Sequence, residues 1–120
     1  MIARIWHGVV REEKSPAYIE YLRCTGIPDY LKTNGNRGVV LFRRVANARA
    51  HFLLISYWES LAAVHHFAGP DIEQARYYPK DSEFLIELEP TVAHYEVIAD
   101  LQQCDGGNDL PSSQNRSRDL

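Results

Sequence analysis

Hydrophobic and polar positions alternate between two periods along the chain. Ile2 to Val10, "IARIWHGVV", is a run of β-branched and aromatic residues without proline, and "REEKSP" breaks it. This pattern predicts a strand followed by a turn. Ser15 is placed to cap a helix, with Pro16 at its first position, where a missing N–H costs nothing. At the helical spacing of about 100° per residue, Tyr18, Tyr21, Leu22 and Thr25 share one side, while Glu20, Arg23 and Cys24 fall on the other. Gly26 and Pro28 interrupt that helix; "DYLKT" adds a further turn, and "NGN" ends it.

Two β-runs follow, Gly38 to Val45 and His51 to Trp58, joined through "ANAR" as a hairpin. Ser60 caps a second helix running to about Ala68, with Leu61, Val64, Phe67 and Ala68 marking its buried side, and Gly69-Pro70 stops it. Asp71 is read as the cap of one more helical turn through "IEQARYY", ended by Pro79. "EFLIELEP" fits a helical turn or an extended connector equally. "TVAHYEVIADL" reads as the last strand, with Val92, His94, Glu96 and Ile98 on one face and Ala93, Tyr95, Val97 and Ala99 on the other. The order β-α-β-β-α-β predicts an α+β, ferredoxin-like sandwich in which two helices cover one face of a four-stranded antiparallel sheet. Phe42, Phe52 and Leu54 compete with Leu41, Leu53 and Ile55 for the covered side, so the sheet is apolar on both faces. A homodimer packed sheet to sheet would cover the second.

Composition adds limits rather than a function. The 120 residues are 45% hydrophobic and 24% charged, as in one ordinary globular domain, and the formal net charge is -3. With a pI near 5.9 and basic residues scattered apart from Arg43 and Arg44, nucleic acid is not an expected partner. No apolar run is long enough to export the chain or span a bilayer, which places it in the cytoplasm. Cys24 and Cys104 are far apart and read as free thiols, outside any disulfide or thiolate–metal framework. From Gln102 onward the composition turns to Gly, Ser, Asn, Asp and Arg, so residues 1–101 are expected to form the domain and 102–120 a disordered polar tail. Gly106-Gly107 lies in that tail and "NGNRG" precedes a strand, so neither is a nucleotide-binding loop.

The aromatic and histidine pairs between Tyr57 and Asp81 carry the candidate chemistry. Adjacent helical residues point about 100° apart, so His65 and His66 do not converge on one metal and read as exposed helix surface. His7 alternates with Ile5 and Val9 on one strand face. Enclosed there, its imidazole would serve as a base or as an anion partner; the alternative is a core histidine satisfied by a neighbour. Trp58 and Phe67, with Tyr18 and Tyr21, read as walls that sandwich a flat aromatic ligand, or as plain core. Tyr77 and Tyr78, at a segment end before Pro79, can bring a hydroxyl to a pocket mouth. One of Arg43 and Arg44 is expected to point toward the pocket. No metal site is expected.

With "ISYWES" closing the third strand and opening the second helix, followed by "HHFAG", "ARYYP" and a terminal "HYEVI", residues 1–101 resemble the antibiotic biosynthesis monooxygenase superfamily. The resemblance implies a dimeric α/β barrel with a pocket between sheet and helices. It also implies one of several activities, among them cofactor-independent oxygenation of phenols or quinols, haem degradation and isomerisation. The haem-degrading branch carries an Asn on the first strand, a Trp in the second helix and an iron-ligating His ten residues later. Aligned on Trp58, those positions are His7, Phe67 and Tyr77, none of which matches. The expectation is therefore a homodimeric monooxygenase needing no cofactor, acting on a small aromatic phenol, hydroquinone or anthrone. His7, Tyr77 and Tyr78 would be catalytic, and Trp58, Phe67, Tyr18, Tyr21 and Arg43 would bind substrate. The competing expectation is a non-catalytic or stress-related dimer that holds a small hydrophobe.

Overall fold

A computed structural model describes residues 1–101; the expected tail, with Cys104, lies outside them. Strand β1 spans Ile2–Arg11 and helix α1 Ser15–Cys24, with a single 3-10 turn between them. Helix α2 spans Gly26–Lys32, and β2 and β3 span Asn36–Ala46 and Arg49–Trp58. Helices α3, Leu61–Ala68, and α4, Asp81–Phe84, precede the short β4, Ala93–Glu96. The sheet order is β2-β3-β1-β4 with every neighbouring pair antiparallel, so the β-α-β-β-α-β, ferredoxin-like expectation holds.

Local chemistry explains most boundaries. The hairpin turns on Asn47 and Ala48, both at positive φ (54° and 61°), which gives the twist that joins two antiparallel strands through a two-residue loop. Ser60 caps α3 as expected, its side chain accepting a hydrogen bond from the Ala63 N–H, and Gly69 at φ 86° ends the helix. Three expectations are corrected. Ser15 is the first residue inside α1 rather than its cap; its buried hydroxyl instead accepts a hydrogen bond from Arg43 Nη1 at 3.0 Å. Asp71 starts only a tight turn, because the backbone of Glu73 and Ala75 is drawn into hydrogen bonds with Val92 and Pro90 rather than into a helix. Leu61 is 48% exposed, and Ala63 takes its place beneath α3.

Parity along the strands decides what the helices cover. On β1 the even positions Arg4, Trp6, Gly8 and Val10 face the helices, and on β3 Ala50, Phe52, Leu54, Ser56 and Trp58 do so. Together with Tyr18, Leu22, Tyr30, Val64, Phe67 and Leu85 they build the core. The odd positions face outward. Phe42 is 50% exposed and lies opposite Leu53, which is 40% exposed, so the open face of the sheet carries an apolar surface as the pattern implied. Beyond β4, the segment from Leu85 extends the sheet edge, with Leu85 bridging Val10 and the Ile86 N–H bonding the Val9 carbonyl.

Candidate functional site

Between the helix layer and the sheet lies a cleft lined by Trp6 and Leu54 from the strands, Tyr18, Leu22 and Gly26 from the helices, and Arg76, Tyr77, Tyr78 and Asp81 from the connection before β4; Tyr30 stands at its inner end. The cleft is half open, and its free volume is about 20 Å³, room for about one water. Tyrosines fill the remainder. Tyr30 stacks on Phe67 at 4.2 Å between ring centroids and lies 6.2 Å from Trp58. Tyr18 packs on Phe52 and Phe84. The Trp6 indole N–H donates to the Tyr77 hydroxyl at 3.3 Å, and that hydroxyl donates in turn to the Glu89 carbonyl.

Two carboxylates organise this wall, and their environments push them in opposite directions. Asp81 is 4% exposed. Its Oδ1 accepts from the Tyr18 hydroxyl at 2.9 Å and its Oδ2 from the Tyr78 N–H at 2.6 Å. Burial raises its pKa above the ordinary carboxylate value, although both hydrogen bonds oppose the rise. Burial and the nearby Asp81 charge also push the Tyr18 phenol upward. Asp29 at the outer rim accepts from the Tyr78 hydroxyl and pairs with Lys32 and Arg76. The Tyr78 hydrogen bond is the main reason its carboxyl titrates below the ordinary value. Arg76 is placed over both Phe67 and Tyr78 and donates to the Phe67 carbonyl, tying the connection to α3.

Deeper, Arg4 is only 1% exposed. It donates to the carbonyls of Ile72 and Gln74 and contacts His94 Nε2 at 3.0 Å. An arginine only donates, so Nε2 accepts and the His94 proton sits on Nδ1. Burial, and then the Arg4 charge, lower the His94 pKa, which keeps the ring neutral. Arg4 Nε has no partner among the described residues.

The expected site residues divide across the sheet. Tyr77, Tyr78 and Tyr18 line the cleft. Tyr21 borders it, stacking on Phe84 and accepting the Lys80 N–H through its hydroxyl. Trp58 and Phe67 are buried behind Tyr30, which occupies the slot where a sandwiched ligand was expected. Arg43 is exposed and bound to Ser15, away from the cleft lining. His7 is corrected most. It lies on the open face, stacked on His51 and bonded through Nδ1 to a Glu89 carboxylate oxygen at 2.6 Å, with a side chain 37% exposed. The first-strand residue that enters the cleft is its neighbour Trp6. His65 and His66 are exposed, as read. Among the described residues no three His, Cys, Asp or Glu side chains gather to hold a metal ion. Sequence reasoning missed Asp81, Asp29, Arg4, Tyr30 and Arg76. The parity signal for Arg4 was available in its even spacing with Trp6 and Val10; none marked Asp81, whose burial depends on a turn in the connection.

No family model matches the sequence, and no curated protein matches it. Solved structures do. A Bacillus cereus protein designated an antibiotic biosynthesis monooxygenase superimposes with a TM-score of 0.63 at 17% identity, covering 88% of this chain and 98% of that one. A Nitrosomonas europaea protein of the same designation gives 0.59 at 14% identity, over 82% and 100%. The haem-degrader MhuD of Mycobacterium tuberculosis, solved with two haems in its active site, gives 0.58 at 18% identity, over 85% and 100%. At such identities the likeness establishes the fold. No helix among the described residues is long and apolar enough to cross a membrane.

Proposed function

We propose, from the premise that this chain has the fold of the antibiotic biosynthesis monooxygenase superfamily, that it oxygenates a small aromatic phenol, hydroquinone or anthrone in the cleft between helices and sheet, without metal or flavin. The observation that carries this reading is the lining itself: aromatic walls from Trp6, Tyr18, Tyr30, Tyr77 and Tyr78 around one buried carboxylate and one guanidinium. Flat rings suit such walls, and a few placed polar groups fix a hydroxyl. In the reaction, a base removes the substrate proton, the resulting anion transfers an electron to dioxygen, and the substrate radical and superoxide combine to a peroxide anion that takes the proton back from the protonated base to become a hydroperoxide. Loss of water from the hydroperoxide leaves the quinone carbonyl. Tyr77 and Tyr78 are assigned as hydrogen-bond partners of the substrate oxygen, while the protein supplies desolvation and orientation. His7 has no part in this step, because it faces the other side of the sheet.

Size favours a single-ring or fused-ring phenol over a porphyrin. Even such a ligand exceeds the free space of about 20 Å³, so its entry requires the lining to move apart. That filling supports a second reading, a binding protein that closes on a small hydrophobe and does no chemistry. The homodimer belongs to the same proposal and rests on the exposed apolar face around Phe42 and Leu53. A cytosolic site of action belongs to the same proposal; Cys24 forms no disulfide among the described residues.

Oxygen uptake by metal-stripped protein, measured against a panel of hydroquinones and anthrones with autoxidation subtracted, separates the readings. Saturable uptake that survives chelator is the expected result. Binding of the same compounds without uptake transfers the assignment to the binding protein.

A further inference from the structure

Asp81 has a feature that packing does not explain. It is the only carboxylate lining the cleft, it is 4% exposed, and no cation pairs with it among the described residues. A buried carboxylate without a counter-ion is unfavourable, and an apolar residue would fill the place at lower free energy. Turn closure accounts for the side chain but not for its charge: the Tyr78 N–H donates to Asp81 Oδ2 while the Asp81 N–H donates to the Tyr78 carbonyl, a reciprocal pair like that of a capping box, in which a neutral amide serves as well. Each of its oxygens accepts one donor, Tyr18 on Oδ1 and the Tyr78 N–H on Oδ2. A carboxylate oxygen accepts about two, so acceptor capacity remains on the cleft side of the helix layer. Arg76 lines the same cleft with its charge directed at Asp29 and aromatic faces, not at Asp81.

We infer that Asp81 is the proton acceptor of the cleft, and that the ligand it recognises is a phenol presenting its hydroxyl as a hydrogen-bond donor. The inference rests on the cleft being the ligand site. In the transfer the substrate O–H bond breaks and an Asp81 Oδ–H bond forms. The electron pair stays on the phenolate oxygen, in the cleft that Arg76 also lines. Tyr18 and the Tyr78 N–H hold the carboxylate in place, and the raised affinity of a buried carboxylate for protons brings it closer to its phenolic partner.

The test uses 4-nitrophenol, which is colourless when protonated and yellow when ionised, with the full chain at about pH 8, well below an ordinary phenol's pKa yet where this acidified phenol is largely ionised when free. Quenching of tryptophan fluorescence reports binding, and the spectrum of the bound probe reports its protonation. In the ground state the proton rests on the phenol and transfer is completed only as the anion is consumed by oxygen, so without turnover an ionised Asp81 accepts the probe hydroxyl as a hydrogen bond and holds it in the phenol form. In Asp81→Asn the bound phenol-to-phenolate ratio is expected to fall at least tenfold. That variant can keep both native contacts, its amide oxygen accepting from Tyr78 and its NH₂ donating to the Tyr18 oxygen. Tyr18→Phe leaves the carboxylate and frees Oδ1, so the ratio stays at or above the wild-type value. An unchanged ratio and affinity in Asp81→Asn, or a fall in Tyr18→Phe equal to that in Asp81→Asn, overturns the assignment of Asp81 while leaving the cleft as the site. No binding to any of the three proteins overturns the cleft reading itself.

Discussion

The Trp6 indole lies directly over Gly8, and this close approach sets the floor of the cleft. A Cβ at residue 8 would stand 2.5 Å from Trp6 Cζ2, closer still to Cη2, and 2.9 Å from Leu85 Cδ2. The leucine methyl can turn away. The indole cannot do so easily, because its N–H is bonded to Tyr77 and its ring meets Tyr77 edge-on at 6.4 Å. Overpacking of this kind costs about 1–3 kcal/mol. With a ring tied to Tyr77 on one side and Leu85 on the other, Gly8→Ala belongs near the upper end, at about 2–3 kcal/mol. For a domain of this size that corresponds to a fall in Tm of roughly 10–20 °C. Thermal melts of a double-mutant cycle isolate the cause. Trp6→Leu removes the atoms that would clash, so in that background Gly8→Ala is expected to cost under about 1 kcal/mol, a coupling well above the usual additivity error. Equal losses in the two backgrounds would refute the argument, since the strain would then lie in the backbone or at Leu85.

Asp81 in the cleft and Asp29 outside its lining predict opposite dependences on pH. Asp29, depressed in the folded state chiefly by the Tyr78 hydroxyl, stabilises the protein above the unfolded carboxylate range and loses that contribution as pH falls through its folded value. Urea titrations should therefore show Asp29→Asn less stable than wild type by about 1 kcal/mol at neutral pH, a figure discounted for partial exposure, with the gap closing in acid. Asp81 is raised, so its contribution is present below the unfolded carboxylate range and lost as pH climbs through its folded value; Asp81→Asn should gain on wild type at neutral pH and not in acid. Ser60→Ala removes the hydroxyl that accepts the Ala63 N–H and is expected to lower stability by about 1 kcal/mol, visible as a drop of a few degrees in Tm. Phe42→Asp puts a charge in the open apolar face; light scattering should show a smaller particle than wild type at micromolar concentration, and equal masses would remove this face from self-association.

The fold was legible because its signals are local. β-branched and aromatic content marked β1, β2 and β3, Ser60 and Gly69 bracketed α3, and the "ANAR" turn closed the hairpin. The connection from Asp71 to Thr91 was not legible, because its shape comes from pairing at a distance: Gln74 bridges Thr91, and Leu85 bridges Val10. The candidate site failed at one point of parity. His7 and Trp6 are equally plausible as the inward residue of a strand that is apolar on both faces, and choosing wrongly moves a side chain from cleft to open surface. Gly8 held the answer. A glycine in the middle of a strand signals a close approach on its own face, here the ring of Trp6, and so marks the even positions as the packed ones.

Arg4 and Asp81 are both buried charges, yet they stand in different relations to the fold. Arg4 carries a visible structural duty. Its two terminal nitrogens bind the carbonyls of Ile72 and Gln74 and meet the ring of His94, so one side chain on β1 fastens the turn after α3 and the edge strand β4. Replacing it with an apolar residue would leave those carbonyls without a donor, which is reason enough for a guanidinium there despite its unpartnered Nε. Asp81 fastens less: a neighbouring N–H and a phenol whose hydroxyl could be dispensed with as phenylalanine. Asparagine would meet the same two groups without the charge. A carboxylate that a neutral isostere can replace, kept where burial opposes its ionisation, is explained by chemistry with protons better than by packing. The same comparison separates the two sides of the sheet. On the open face His7 is bonded to Glu89 and stacked on His51 at partial exposure, an arrangement that water tolerates. In the cleft, by contrast, an ionisable group is held against its solvation preference beside aromatic walls, and that is where the proposed proton transfer is to be tested.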